Sequence, residues 1–403
     1  MNTKILYRNV VLVILGLVLI WGINFYWKNL RGVGPAINEP KQDIAELIPK
    51  PGENKTGMPL KLPDGFSIEI FAENLSGARV LAFDGTGDLW VSRTQQGIVT
   101  EVQKDRDGNL VSQKDIYASL SKPHGLTFQI NGDDNVIYIA EENKISRGSI
   151  FWDNSKLTKI ADLPTEGGGH FTRTIGFEPR DRDIFNPDLR PDKLFVSIGS
   201  SCNVCNESDS RRAAIYSMNS DGSDFKLFAK GLRNTVFFTW DKDGRMWGTD
   251  MGRDLLGDDI PPEEINIIEE GRDYGWPTCY GKNTPDPFGK ECGGKAPAHV
   301  EMQAHSAPLG LAFVPKGFGP NDWENDLIVA FHGSWNRSTP TGYKLVRIKF
   351  DDEGNYQGIE DFITGWLQGG TALGRPVDAV FHDGDLYVSD DKAGVIYKIS
   401  SKF

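Results

Sequence analysis

LAFDGTGDLWVSR (residues 81–93) and AVFHDGDLYVSDD (residues 379–391) are two copies of one phrase. Each opens with an apolar triplet ending in Phe. It then turns through Asp and Gly and resumes as an apolar strand that ends near Ser or Asp. Looser copies are GLTFQINGDDNVIYIAEE (125–142), IGFEPRDRDIFNPDLRPDKLFVSIG (175–199), VFFTWDKDGRMWGTD (236–250) and LAFVPKGFGPNDWENDLIVAF (311–331). Several are followed by a further alternating strand: GIVTEVQ (97–103), YKLVRIKF (343–350) and GVIYKIS (394–400). Alternation places every second side chain on one face of a sheet. Strand, turn, strand, strand, repeated at blade-sized intervals, predicts an all-β, six-bladed β-propeller. FSIEIF (66–71) precedes the first copy and VIYKIS (395–400) ends the last. Pairing the two in one blade closes the ring and removes free edges. A β-sandwich accounts for the strands but not for the phrase or its copy number. The uneven spacing places large insertions after the third, fourth and fifth copies.

The rest of the composition suits this reading. Of 403 residues, 45 are glycine, well above the usual share of about 7%. Without a triplet repeat, that excess means many tight turns. The net charge is −12. An acidic chain without basic patches is not a general nucleic-acid binder, because nothing replaces the counterions on phosphates.

Residues 1–30 stand apart. NVVLVILGLVLIWGINFYW (9–27) carries no charge and approaches the roughly 20 residues of a membrane-crossing helix. No A-x-A cleavage site follows and no Cys is placed for lipidation, so an uncleaved membrane anchor is expected, with a cleaved signal segment as the alternative. Trp21, Tyr26 and Trp27 suit an interfacial belt. Residues 31–60, rich in Pro, Gly, Lys and Glu, read as a linker, and 61–403 as the propeller. The expected location is the inner membrane, with the body on the periplasmic or extracellular side. The four cysteines fit export: Cys202 with Cys205, and Cys279 with Cys292, are the local disulfide pairing, with a zinc site as the rival for the C-x-x-C.

In a propeller the start of each inner strand lines the central channel. The polar residues there are His124, His170 with Arg173, Arg233 and Asn234, His305, and Arg375. His332 lies in a Gly-containing turn. These residues collect imidazoles and guanidinium groups around one axis, a centre suited to a compact polyanion or an oxygen-rich cofactor. A neutral histidine there suits a general base. The acidic stretch with Asp250, Asp254, Asp258 and Asp259 offers hard oxygens for a cation such as calcium, without EF-hand spacing. A solvated acidic loop is the alternative.

At these residues the chain resembles the soluble quinoprotein glucose dehydrogenase and sorbosone dehydrogenase family. The resemblance covers residues 62–403 and is carried by GGGHFTRTIGF, GLRNTVFF, EEINIIEEGRDYGWP, FHGSWNRS and LGRPVDAVF. It implies a six-bladed propeller that binds pyrroloquinoline quinone (PQQ) with calcium. Such an enzyme oxidises a sugar hemiacetal or aldehyde and passes electrons to an external acceptor, a quinone or a cytochrome. The same resemblance implies His170 as general base, and Arg233 and Asn234 as contacts to the quinone and the substrate oxygen. It implies that the backbone carbonyls of Gly252 and Arg253 hold calcium, although the family often has Pro where Arg253 stands. Arg375 matches a contact to a PQQ carboxylate, and His124 a further polar contact. FHGSWNRS stands in place of a PQQ-binding lysine, so His332, Trp335 or Arg337 substitutes for it. Two other functions compete: a calcium-dependent, lactonase-like hydrolase, and a non-enzymatic binding propeller.

Overall fold

Each copy of the phrase forms the two inner strands of a four-stranded antiparallel sheet in the computed structural model, which describes residues 15–23, 54–105, 108–131, 134–150, 156–165, 169–179, 193–289, 291–351 and 353–403. Six such sheets form the blades of a propeller. Their innermost strands, blades 1 to 6, are Ala78–Phe83, Gly125–Asn131, Ile175–Phe177, Thr235–Trp240, Pro308–Phe313 and Pro376–His382. Phe66–Ala72 pairs antiparallel with Val395–Ser401, so the first strand of the ring completes the last blade, as expected.

The recurrence of Phe at the end of each triplet has a packing cause. Phe83 meets Tyr387 of blade 6 at 5.1 Å between ring centres. Phe128 meets Trp90 of blade 1 at 5.7 Å, Phe177 meets Tyr138 of blade 2 at 5.0 Å, and Phe313 meets Trp247 of blade 4 at 5.5 Å. All four pairs are edge-on, a favoured aromatic geometry. The innermost strand of each of these blades therefore presses its Phe onto the second strand of the blade before it.

The turn inside the phrase is also built from its sequence. Asp84 Oδ1 accepts the Thr86 and Asp88 amides at 2.8 and 3.1 Å, and its Oδ2 accepts the Trp90 indole at 2.9 Å. Asp241 repeats the device in blade 4: Oδ1 accepts the Asp243 and Arg245 amides at 2.9 and 2.8 Å, and Oδ2 the Trp247 indole at 2.8 Å. One carboxylate thus shapes the hairpin and orients the tryptophan that receives the next blade's Phe.

Blades are also joined close to the axis. Asp378 accepts the Leu81 amide at 2.8 Å, and Thr249 Oγ1 donates to the Leu309 carbonyl at 2.7 Å. A Cβ on Gly310 would lie 2.5 Å from Asp378 Cα, so the inner strands of blades 5 and 6 approach only because that residue has no side chain.

Of the N-terminal segment, residues 15–23 form a helix whose large apolar side chains are exposed. No helix among the described residues is long and apolar enough to cross a membrane. Residues 9–14 and 24–27 of the expected span, and 31–53 of the expected linker, lie outside the described residues. The remainder of that linker lies against the ring: Asn54 bridges Ile68 and Leu60 is buried. Cys202–Cys205 and Cys279–Cys292 are both disulfides, so neither pair offers thiolates to zinc.

Candidate active site

His170, Arg233 and Asn234 come together where blades 3 and 4 begin. The imidazole Nδ1 of His170 lies 3.0 Å from the Ser200 carbonyl oxygen. A carbonyl only accepts, so Nδ1 carries the proton and Nε2 is the basic atom. Burial, then the charge of Arg233, hold the imidazole down to a pKa of about 3, and it is neutral at physiological pH. Asn234 Nδ2 donates to Met251 Sδ at 3.4 Å, while its Oδ1 is buried with no hydrogen-bond partner. Gly199 separates the two side chains: a Cβ there would lie 2.4 Å from Asn234 Oδ1 and 2.6 Å from His170 Cβ.

Arg233 is buried and donates to an oxygen-rich wall. Nη1 reaches the Met251 and Gly252 carbonyls at 3.1 and 2.8 Å. Nε and Nη2 reach the carbonyl and the Oδ1 of Asn203, both at 3.0 Å, and Asp254 lies 3.4 Å away. The Gly252 carbonyl thus faces the site. It accepts from Arg233 with one lone pair and keeps a second for a hard cation. The Arg253 side chain turns away to Asp286 at 2.9 Å.

A second group joins blades 5, 6 and 1. Arg375 donates Nε and Nη2 to the His332 and Gly333 carbonyls at 3.1 and 2.6 Å. His332 Nε2 meets both oxygens of Asp391 at 3.0 Å, and Arg79 bonds the same carboxylate at 2.7 Å. Burial lowers His332 to about 4, and the neighbouring His332 and arginines hold Asp391 below the usual carboxylate range. His124 is fully buried, with Nδ1 3.3 Å from Thr174 Oγ1 and Nε2 unpartnered. Burial, then the charge of Arg79, lower its pKa well below the ordinary value.

The acidic stretch is not a carboxylate cage: Asp254 accepts from Asn336 at 2.7 Å, the Ser338 amide reaches Asp258 at 3.0 Å, and Arg337 reaches Asp259 at 2.7 Å. These carboxylates stitch the 251–262 loop to the FHGSWNRS segment. Asp250 serves instead as a strand-start clamp, accepting the Arg233 and Asn234 amides at 3.0 and 2.8 Å. His305 bonds the Gly257 carbonyl at 2.7 Å and so anchors the same loop. Within FHGSWNRS, Trp335 is 52% exposed, whereas Arg337 keeps Nε and Nη1 buried without partners. Arg79, Asp391 and Asn203 were not among the candidates. Arg79 precedes VLAF as Arg375 precedes PVDAVF, which is the signal that finds it.

Glu263 and Glu264 of the EEIN phrase are both buried. Glu263 accepts the Gly252 amide at 2.7 Å, and Glu264 the Gly281 amide at 2.5 Å. Burial raises both to about 8 from an ordinary 4.5. Between those values the folded chain binds protons that the unfolded chain has released. Their stabilisation is complete below pH 4.5 and is lost as pH rises through about 8. Glu264→Gln is therefore expected to make the fall in unfolding free energy from pH 5.5 to 7.5 shallower, by about 1.4 kcal/mol per pH unit. Urea unfolding at several pH values measures this; parallel wild-type and variant slopes refute it.

The chain matches the TrAA12-like family over residues 60–296 and 282–402. It is 31% identical over 369 residues to an uncharacterized protein of Borreliella burgdorferi, covering 84% of this chain and 90% of that protein. It is 24% identical over 425 residues to the pyrroloquinoline quinone-dependent pyranose dehydrogenase of Coprinopsis cinerea, covering 87% of this chain but only 56% of that enzyme. A calcium structure of the Trichoderma reesei carbohydrate-active enzyme of family AA12 superposes with a TM-score of 0.71 at 20% identity. That superposition covers 86% of this chain and all of the other, and shows the shared fold.

Proposed function

Because the chain belongs to the TrAA12-like family, we propose that it is a PQQ-dependent dehydrogenase that oxidises an aldose sugar or a related aldehyde or hemiacetal. The single observation that carries this reading is the neutral His170, with Nδ1 tied to Ser200, beside Arg233 and the unpartnered Asn234 Oδ1. A base beside a polar pair is what removal of a hydroxyl proton with concurrent loss of hydride requires. The Coprinopsis relative, a PQQ-dependent pyranose dehydrogenase, supports the sugar and the cofactor.

The residues fit the cofactor. PQQ is planar and carries three carboxylates. Arg375 and Arg337 would hold those, Arg337 through its two unpartnered nitrogens, and His124 Nε2 and Asn234 Oδ1 are further unused polar atoms. The Gly252 and Arg253 carbonyls, hard oxygen donors, would hold calcium. Bound PQQ supplies the two-electron acceptor and bound calcium polarises its carbonyl. The chain's own task is the proton: His170 Nε2 takes it from the substrate hydroxyl, while Ser200 fixes the ring, the unpartnered Asn234 Oδ1 orients the substrate, and Arg233, whose five N–H groups are engaged by the protein, supplies positive charge beside it. An external acceptor, a quinone or a cytochrome, then receives the electrons. The two disulfides and the apolar 9–27 segment support a membrane-anchored body on the oxidising, periplasmic or extracellular side.

The test is reconstitution. Full-length protein titrated with PQQ and calcium should bind the cofactor and reduce an artificial dye with at least one aldose, aldehyde or lactol in a substrate screen. Absence of PQQ binding with calcium present sinks the reading.

A further inference from the structure

We propose that Asn203, held within the Cys202–Cys205 disulfide ring, is the positioning residue for Arg233. Of the guanidinium's five hydrogen bonds, two go to this one residue: Nε to the Asn203 carbonyl and Nη2 to its Oδ1, both 3.0 Å. The same Oδ1 accepts the Asp254 amide at 2.8 Å, and Asn203 Nδ2 donates to the Asp254 carbonyl at 3.0 Å. Asn203 therefore joins the blade 3 loop to the turn whose Gly252 carbonyl receives Arg233 Nη1.

The ring ties this grip to the base. Ser200 Oγ donates to the Cys202 carbonyl at 2.7 Å and lies 3.0 Å from His170 Nδ1. On the outer side, Glu207 accepts the Ser201 amide at 2.7 Å and the Ser201 hydroxyl at 2.6 Å. Residues 200–207 carry no strand or helix. Their backbone conformation is set by the four-residue disulfide ring and by these bonds. A planar fork held at two points by one rigid residue loses little rotational freedom when it engages a ligand. The C-x-x-C thus works through the asparagine between its sulfurs, in addition to stapling a surface loop.

This inference rests on the dehydrogenase reading for the role of Arg233, so its test includes a readout independent of activity. The Arg233 Nε–H and Nη–H groups are to be followed by arginine side-chain NMR in full-length wild type, Asn203→Ala and Cys202→Ser/Cys205→Ser. Asn203→Ala removes Oδ1 and keeps the backbone carbonyl, so exchange at Nη2 is expected to quicken about tenfold or more there, and at both Nε and Nη2 in the double variant, with far-UV dichroism unchanged, because a bond from a charged donor is lost. Asn203→Asp keeps Oδ1 and should restore slow exchange. With PQQ and calcium, Asn203→Ala should weaken cofactor binding or turnover about tenfold, the loss of one charged hydrogen bond. Unchanged exchange in both variants overturns the proposal, and so does a loosened Arg233 with unaltered affinity and turnover. If wild type binds no PQQ, the dehydrogenase reading falls, and the exchange rates alone decide whether Asn203 positions Arg233.

Discussion

Replacing His170 by alanine is expected to lower kcat by about 10²–10⁴-fold, the usual contribution of a positioned general base, while leaving PQQ affinity unchanged. The expectation follows from which atom is used for what. Nδ1 is committed to Ser200, so Nε2 is the atom left for the substrate proton. Neither ring nitrogen is the principal holder of the cofactor, whose carboxylates fall to arginines elsewhere in the ring. His170 is kept neutral by burial and by three arginines, Arg233, Arg173 and Arg212. Steady-state kinetics with a dye acceptor, paired with a PQQ titration, separates the two effects. Equal turnover in the variant rejects His170 as the base. Lost affinity with an unchanged kcat at saturating PQQ reassigns it to cofactor binding.

How far such a site is legible in the sequence depends on which interactions are local. The blade phrase was legible because its causes are local and repeated: Asp84 and Asp241 each shape a hairpin and hold a Trp six residues on. Ring closure was legible because an unpaired strand at each end of the propeller has one obvious partner. His170, Arg233, Asn234 and Arg375 were findable since each sits just before an inner strand, a position the repeat itself marks. Asp391 and Asn203 were not, because their roles arise between blades. Asp391 takes His332 from blade 5 and Arg79 from blade 1, contacts far apart in sequence. Asn203 was hidden inside a C-x-x-C, which draws attention to its sulfurs. The acidic 250–259 stretch misled for a related reason. Carboxylates adjacent in sequence suggest a shared ion, yet their partners Asn336, Ser338 and Arg337 lie some 80 residues away, at separations of 82, 80 and 78.

Gly199→Ala is expected to cost nearly as much turnover as loss of the base, although it removes no functional group. Gly199 follows the second strand of blade 3, Lys193–Ile198, and immediately precedes Ser200. Its φ is not in the left-handed region, so alanine meets no backbone penalty there and the obstacle is volume alone. The added methyl would lie 2.4 Å from Asn234 Oδ1, 2.6 Å from His170 Cβ and 3.3 Å from Asn234 Cγ. Neither neighbour yields easily. His170 is pinned through Ser200; the Asn234 backbone N–H donates to Asp250 at 2.8 Å and its side-chain Nδ2 to Met251 Sδ at 3.4 Å. Relief requires His170 and Asn234 to separate by the better part of an ångström, and misplacement on that scale costs about 10²-fold in rate. Overpacking a well-filled site also costs about 1–3 kcal/mol of stability. Gly293→Ala is the matched control, since a Cβ there meets nothing within 4 Å and its φ is likewise not left-handed. Kinetics and thermal melts of both variants decide the matter. A Gly199→Ala protein as active as the Gly293→Ala control would show that the spacing between His170 and Asn234 is not what the reaction depends on. A melt lowered by a few degrees with turnover reduced about 10²-fold would show that the strand leaves out a side chain there for the sake of the site.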